Sequence, residues 1–252
     1  MNSILMTTST QQSEANWFES WFNTPYYHIL YKDRNDSEAQ LFMDNLTHYL
    51  NLPENGTILD LACGKGRHAI YLNQLGYKVT GMDISENSIA RASQFSNNNL
   101  QFKVHDMREP ITAKYDAIFN LFTSFGYFDD TADNIKALHV IKNSLSEYGF
   151  GVIDFLNAHY VIKNLVQEET KTIDGITFHI KRYVENKKII KEIQVIDNDK
   201  SFVFKEKVSA LYLEDFEEMM AHCDIYLLDI FGDYKLKKFY KNESERLIMI
   251  FK

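Results

Sequence analysis

The sequence has few cysteines, no long apolar run and no basic leader. Its two cysteines, Cys63 and Cys223, lie far apart in 252 residues, so it predicts neither a disulfide framework nor a zinc cluster. No stretch approaches the ~20 apolar residues that a membrane-spanning helix needs. Residues 1–12 are polar and uncharged rather than basic and then apolar. We therefore expect a cytoplasmic protein with no membrane contact and no bound metal.

The charge balance argues against a nucleic-acid partner. A formal net charge of -8 opposes contact with a phosphate backbone, because such contacts draw their affinity from Lys and Arg. The densest basic stretch, residues 235–241, alternates lysines with apolar residues, and we interpret it as a solvated hairpin face. With 45% hydrophobic residues, the chain is long enough to bury one sizeable core beside a small second lobe.

Hydrophobic periodicity predicts an α/β fold behind a helical N-terminal segment. Helical spacing covers 13–22 and 36–50, and the aromatic loop 25–31 between them is a candidate lid. Strands then alternate with helices, which predicts a mostly parallel Rossmann-like sheet covered on both faces. The predicted strands are 57–61, 77–82, 100–104, 115–121 and 150–155, and the predicted helices are 68–75, 86–95 and 130–145.

Beyond residue 172 the pattern changes to alternating polar and apolar residues, which is typical of antiparallel strands. A predicted meander with strands 178–183, 189–195 and 202–208 is followed by a helix over 213–223 and by closing strands 225–231 and 246–251. These patterns divide the chain into an N-terminal helical and aromatic lid segment (1–54), a cofactor-binding domain (55–171 and 209–252) and an inserted antiparallel β lobe (172–208). We expect the inserted lobe to cover the substrate side of the sheet.

A glycine-rich loop follows the first predicted strand. Gly64, Gly66 and Ala69 fit the Gly-x-Gly-x-x-Gly/Ala pattern between a strand and a helix. Glycine lets the backbone approach a ligand closely, and the helix that follows offers free N–H groups to an anion. The carboxylate of S-adenosylmethionine (SAM) and the pyrophosphate of NAD would both suit this loop.

Asp60 distinguishes these two ligands. A carboxylate at the end of the strand would repel a pyrophosphate and attract the ammonium group of SAM. The alternative is that Asp60 only caps the turn or the helix.

Two further acids follow later strands. Asp83 ends the second predicted strand, where a carboxylate can accept both hydroxyls of a ribose in either ligand. Asp106 follows the third, where it can accept the adenine amino group while Met107 covers the ring. A surface turn is the alternative for Asp106.

Residues 58–85, ILDLACGKGRHAIYLNQLGYKVTGMDIS, resemble the first two motifs of class I SAM-dependent methyltransferases. Residues 105–107 stand where that family has its adenine contact, residues 115–120 resemble its fourth strand, and the likeness extends from about Asn55 to Lys252. The resemblance implies a Rossmann-like seven-stranded methyltransferase sheet with its last strand antiparallel, SAM as cofactor and S-adenosylhomocysteine as product. Ala62 replaces the commonest glycine, which we expect only to tighten the turn.

The meander and the aromatic N-terminal segment resemble the small-molecule branch of the family, which includes glycine N-methyltransferases and sugar-amine N,N-dimethyltransferases. In that branch a tyrosine of the N-terminal segment reaches SAM, and Tyr27 is the best match, followed by Tyr31 and Arg34; packing between helices is the alternative. The predicted cofactor contacts are Tyr27, Tyr31, Arg34, Asp60, Ala62, Cys63, Gly64, Gly66, His68, Asp83, Ile84, Asp106, Met107, Asn120, Leu121 and Phe122.

Methyl transfer from a sulfonium is an in-line displacement, so alignment and exclusion of water are the main requirements. Strand-end positions supply the catalytic candidates Tyr127 and His159, and Tyr26, Tyr127, Arg182 and Tyr183 are the candidate substrate contacts. The leading hypothesis is methyl transfer to N or O of a small-molecule acceptor by a monomer or homodimer. The alternatives are an RNA or protein methyltransferase, a NAD(P)-dependent oxidoreductase and a SAM-binding protein without catalysis.

Overall fold

The computed structural model describes residues 21–32, 36–198 and 200–252, and these fall into two compact units. Of the described residues, 36–164 and 208–252 form the larger unit, and 21–32, 165–198 and 200–207 form the smaller. Within the described residues, no helix is both long and apolar enough to cross a membrane.

Strands and helices are numbered here in chain order. The strands are β1 (Thr57–Leu61), β2 (Lys78–Asp83), β3 (Leu100–Val104), β4 (Tyr115–Asn120), β5 (Leu145–Leu156), β6 (Glu168–Ile173), β7 (Ile176–Glu185), β8 (Lys188–Asp197), β9 (Lys200–Ser209), β10 (Leu227–Phe231) and β11 (Arg246–Phe251). The helices are α1 (Pro25–Leu30), α2 (Asp36–Tyr49), α3 (Arg67–Gln74), α4 (Glu86–Ala92), α5 (Thr131–Ser144), α6 (Ala158–Lys163) and α7 (Leu213–His222).

The larger unit is built on a seven-stranded sheet in the order β10-β11-β5-β4-β1-β2-β3. Strands β1 to β5 pair in parallel, whereas β11 runs antiparallel to both β5 and β10. This confirms the predicted mostly parallel sheet with an antiparallel last strand. The strand order reverses between β1 and β4, and ligands of open α/β sheets bind in the crevice at such a point.

The inner strands β1, β4 and β11 of this sheet are mostly apolar and almost fully buried, as expected for a sheet that is covered on both faces. Alternate residues of β1 enter different clusters: Ile58 packs with Leu46 and Leu72, which lie in α2 and α3. Leu59 packs with Ile141 and Phe216, which lie in α5 and α7. Helices therefore cover both faces and fix the strand ends at which the site is built.

The smaller unit contains α1 and a four-stranded antiparallel sheet in the order β6-β7-β8-β9. Two of its tight hairpins turn at Asp174–Gly175 and Asn186–Lys187, where all four residues have positive φ. That backbone matches the twist of antiparallel strands. Trp21, with no exposed surface, packs on Phe204 at 4.6 Å between ring centroids.

Several boundaries differ from the prediction. The aromatic segment 25–31, predicted as a loop, is the helix α1, because the Thr24 side chain caps its first turn and Pro25 occupies its start. The inserted sheet begins at Glu168 rather than beyond 172, and its first strand was not predicted, nor was α6. The helix predicted over 13–22 lies outside the described residues except for its last two.

Candidate functional site

The loop between β1 and α3 has left-handed backbone at three positions. Ala62, Gly64 and Gly66 have φ of 67°, 56° and 81°. The N–H groups of Ala62 and Cys63 both donate to the carbonyl oxygen of Met82, at 2.7 and 2.9 Å, which ties the turn to the end of β2. Ala62 therefore also strains the turn, since a left-handed backbone at alanine costs roughly 1–2 kcal/mol.

The two glycines serve different purposes. A Cβ atom on Gly64 would meet nothing within 4 Å, whereas a Cβ atom on Gly66 would lie 2.6 Å from the Phe102 ring. Gly66 is thus required by packing inside the protein. Gly64 faces open space, so its backbone is accessible to a ligand.

Asp60 is buried at the end of β1, with 1% of its surface exposed. Its Oδ2 accepts a hydrogen bond from the N–H of Ala69 at 3.1 Å, so it does bond to helix α3, as the capping alternative proposed. Burial, helped by the nearby Asp83 carboxylate, raises the pKa of Asp60 to about 7 against the opposing effects of Ala69 and Arg67. A cation beside this carboxylate would favour its ionised form.

Asp83 braces the glycine loop from the end of β2. Its Oδ2 accepts from the N–H of Gly64 and its Oδ1 from the N–H of Ser85, each at 2.8 Å. Burial raises the pKa of Asp83, and these two hydrogen bonds oppose the rise. Each carboxylate oxygen has a second lone pair, so hydroxyls can still bond here. Ile84, next in the chain, is half-buried.

Asn120 carries a buried acceptor that no described residue satisfies. Its Nδ2 donates to the carbonyl oxygen of Leu61 at 3.1 Å, and its side chain has no exposed surface. Its Oδ1 has no hydrogen-bond partner within the described part of the chain. Strands β1 and β4 are neighbours, with Asp60 opposite Phe119. Asn120 and Asp60 therefore present oxygen acceptors at adjoining strand ends, which suits a ligand ammonium group.

The acid after β3 is held by an arginine that was not predicted. Arg108 donates to Asp106 through Nη2 at 2.6 Å and through Nε at 3.1 Å, and it reaches Asp133 of α5 at 2.8 Å. Its guanidinium carbon lies 4.7 Å from the centroid of the Phe128 ring. Burial would raise the pKa of Asp106, but the hydrogen bonds from Arg108 outweigh it and lower that pKa. Met107 is half-buried beside it.

The remaining cofactor candidates of the larger unit surround the loop after β4. Phe122 stacks on His68, with ring centroids 4.9 Å apart and planes 13° apart. Leu121 and Cys63 are buried in the protein. The N–H of Phe122 donates to Asp154 at 2.8 Å, so this backbone group already has a partner.

The catalytic candidates differ in their surroundings. His159 lies against Tyr212 at 4.3 Å between ring centroids, and its Nε2 is buried without a partner among the described residues. Tyr127 is half-buried in the loop after β4.

The candidates of the smaller unit are engaged within that unit. Tyr31 donates to Glu206 at 2.7 Å and receives a hydrogen bond from Lys191, and Tyr26 donates to Asp197 at 3.1 Å. Tyr27 packs against Tyr31, Arg182 donates to Glu169 at 2.6 Å, and Tyr183 is half-buried. Arg34 lies outside the described residues.

Comparisons with known proteins agree with this geometry. The family described as "Methyltransferase domain" matches residues 52–216, which is more than half of the chain. The chain belongs to this family. This methyltransferase is 26% identical over 200 residues to the putative methyltransferase YqeM of Bacillus subtilis (strain 168), covering 73% of this chain and 79% of that protein.

Two solved structures have the same fold as this methyltransferase. A SAM-dependent methyltransferase from Clostridium acetobutylicum ATCC 824 has a TM-score of 0.76 and 23% identity, covering 90% of this chain and 95% of that one. SAM-bound CalS10, an amino pentose methyltransferase from Micromonospora echinaspora, has a TM-score of 0.68 and 15% identity, covering 90% and 96%. Family and fold together make SAM the cofactor of this methyltransferase.

The two loop glycines should respond differently to alanine. Gly64→Ala should leave the fold intact at a cost of roughly 1–2 kcal/mol for the left-handed backbone, yet weaken binding of S-adenosylhomocysteine, because the methyl group enters open space. Gly66→Ala should lose more stability, since the same backbone cost is added to the clash with Phe102. Urea unfolding and calorimetric binding measure both effects. Equal losses of stability would contradict this assignment.

Burial of Asp60 predicts opposite pH trends for stability and binding. Because its pKa is raised to about 7 from 3.8, the folded state keeps a proton that the unfolded state has lost, so stability falls as pH rises between these values. Binding of a ligand ammonium favours the ionised form, so affinity should rise with pH up to about 7.

Asp60→Asn removes the contribution of Asp60 to both trends and keeps the side-chain shape. The difference between variant and wild type isolates Asp60 from Asp83, whose pKa is also raised. The measurements are urea unfolding without ligand and calorimetry with S-adenosylhomocysteine, each from pH 5 to pH 8. A wild-type affinity independent of pH, or the same slope in the variant, would exclude an ion pair between Asp60 and the ligand.

Proposed function

We propose that this methyltransferase transfers the methyl group of SAM to a nitrogen or oxygen atom of a small-molecule acceptor. The observation that supports the cofactor assignment best is the pair of buried acceptors on the neighbouring strands β1 and β4: the Asp60 carboxylate, and the Asn120 Oδ1, which has no partner among the described residues. Two buried oxygen acceptors suit a ligand that carries an ammonium group. They do not suit a pyrophosphate.

The other contacts follow from the chemistry of each strand end. Asp83 accepts the ribose hydroxyls through lone pairs that Gly64 and Ser85 leave available. Asp106, oriented by Arg108, accepts the adenine amino group, and Met107 covers the ring. Gly64 offers open backbone to the amino-acid part of the ligand. In this proposal Tyr27, Tyr31 and Arg34 remain candidate contacts from the N-terminal segment.

The protein's contribution to transfer is alignment and exclusion of water. When bound, SAM supplies an electrophilic methyl group on a sulfonium. The protein holds the cofactor through Asp60 and Asp83, and it presents Tyr127 and His159 as groups that can orient the acceptor or take its proton. His159 suits the second role because its buried Nε2 has no partner among the described residues. Tyr26, Arg182 and Tyr183 of the smaller unit remain candidate acceptor contacts.

A small acceptor is favoured over a macromolecule by charge and by sequence. The net charge of -8 disfavours RNA. The Asn-Leu-Phe-Thr sequence at 120–123 differs from the Asn/Asp-Pro-Pro-aromatic motif of enzymes that methylate exocyclic amines of bases. CalS10, which shares the fold, is an amino pentose methyltransferase, which makes amino sugars the first acceptors to test.

A ligand panel tests the cofactor assignment. SAM and S-adenosylhomocysteine should bind in the micromolar range, about -8 kcal/mol, while NADH and NADPH should not bind, because Asp60 repels their pyrophosphate. Calorimetry with all four ligands at one pH provides the measurement. Preferential binding of NADH would favour an oxidoreductase and contradict the assignment of SAM as the cofactor.

An acceptor screen tests the reaction. Amines, amino sugars, hydroxyl compounds and carboxylates are each incubated with SAM, and release of S-adenosylhomocysteine is measured beside total RNA and a protein mixture. We expect turnover with a small amine or hydroxyl compound and none with the macromolecules. Turnover with RNA or protein would favour the macromolecular alternative. SAM binding without turnover on any acceptor would favour a non-catalytic binding protein.

A further inference from the structure

Two consecutive residues after β4 have a backbone conformation that non-glycine residues rarely adopt. Phe122 and Thr123 have φ of 56° and 61°, and a left-handed conformation costs roughly 1–2 kcal/mol for each such residue. Strain of this kind persists only where the surrounding structure holds it in place. The contacts of this loop identify what holds it.

Asp154 contacts both strained residues, and Arg246 contacts Thr123. The Asp154 Oδ2 accepts the N–H of Phe122 at 2.8 Å, and its backbone oxygen accepts the N–H of Thr123 at 2.9 Å. Arg246 donates through Nε to Asp154 Oδ1 at 2.7 Å and through Nη2 to Thr123 Oγ1 at 3.0 Å. The ion pair between Asp154 and Arg246 therefore bonds both to the backbone N–H groups of residues 122 and 123 and to the Thr123 side chain.

Sheet register explains why this pair can form. Asp154 of β5 stands opposite Ile248 of β11, and Arg246 stands opposite Leu156. Asp154 and Arg246 are therefore diagonal neighbours on one face of the sheet, within reach of a long side chain. The Asp154 side chain is fully buried and the Arg246 side chain is 18% exposed, so the carboxylate depends on the guanidinium for its charge partner.

The held loop carries groups of the candidate cofactor site. The Phe122 ring stacks on His68, and the Arg67 guanidinium carbon lies 5.1 Å from its centroid. His68 and Arg67 begin α3 directly after the glycine loop. Asn120, with its unsatisfied Oδ1, precedes Phe122 by two residues. The Phe122 ring is taken here as one wall of the candidate cofactor site, called the Phe122 wall. A change in the loop would move this wall and disturb the Asn120 acceptor.

We propose that Asp154 and Arg246 are positioning residues of this methyltransferase. They hold residues 122 and 123 in the left-handed conformation and so fix the Phe122 wall and the Asn120 acceptor in the geometry that binds the cofactor. The effect on binding rests on the function proposed above. The effect on the loop does not, because it is visible in the protein without ligand.

The test compares two carboxylates that bond to backbone N–H groups. Asp154→Asn removes the charge that holds the loop, and Asp116→Asn is the matched control. Asp116 accepts the N–H of Thr57 at 2.8 Å at the opposite, amino end of β4. Arg246→Lys is the conservative variant: it keeps Asp154 paired with a charge but cannot reproduce the fork that also reaches Thr123.

Amide hydrogen exchange by NMR, without ligand, reports on the loop directly. In Asp154→Asn and Arg246→Lys, the amides of Phe122 and Thr123 should exchange at least about tenfold faster than in wild type, and S-adenosylhomocysteine should bind about tenfold more weakly. Asp116→Asn should lower the melting temperature but leave both quantities unchanged. Should Asp154→Asn fail to fold, Arg246→Lys alone decides.

Thr123→Gly separates positioning from general stability. Glycine adopts positive φ at little cost, so the loop no longer needs to be held at that residue. Adding Thr123→Gly to Arg246→Lys should restore part of the lost affinity. Unchanged exchange and affinity in folded Arg246→Lys, or no recovery in the double variant, would overturn the proposal. Absence of S-adenosylhomocysteine binding in wild type would overturn the proposed function, while the exchange data would still judge the loop.

Discussion

The Asp60 carboxylate lies at the end of β1 with almost no contact with water, and much of the surrounding loop follows from that position. A hydrogen bond from the N–H of Ala69 offsets part of the free-energy cost of burying this carboxylate. That hydrogen bond requires helix α3 to begin where it does. Helix α3 can begin there only because the chain reverses through left-handed residues at Ala62, Gly64 and Gly66. A carboxylate kept from water in this way interacts strongly with a cation, so the strain of the loop is linked to its capacity to bind one.

The inner strands of the larger unit, such as β1 and β11, were predictable because they are mostly apolar and almost fully buried. The elements that escaped prediction lack such a signal. The sequence of β6, Glu168–Ile173, is largely polar and exposed, and this edge strand is stabilised by pairing with β7 rather than by burial. Helix α1 has only aromatic and aliphatic residues with no helical alternation, and its start depends on the cap from Thr24.

The residues of the candidate site also differ in whether the sequence could predict them. The positions of Asp60 and Asp83 at neighbouring strand ends were predictable because Asp60 lies near the end of one predicted strand and Asp83 follows the next, both within a recognisable motif; their contacts with the cofactor stay a prediction. Arg108 was missed although it stands only two positions after Asp106, to which it donates; its further contacts with Asp133 and Phe128 come from a later part of the chain. Arg246 was missed as well, because it follows the charged stretch Glu-Ser-Glu at 243–245 and its partner Asp154 lies 92 positions earlier. Contacts between residues that are far apart in the sequence produce no local sequence pattern from which they could be predicted.

The link between Asp154 and Arg246 spans 92 positions of the chain, and this distance has a consequence for assembly. Contacts between such remote residues form only after the entropy of closing a long loop has been overcome. Strand β11 must insert between β5 and β10 before its arginine reaches the loop after β4. If Asp154 and Arg246 position the cofactor site as proposed, the step that completes the sheet is also the step that completes this site.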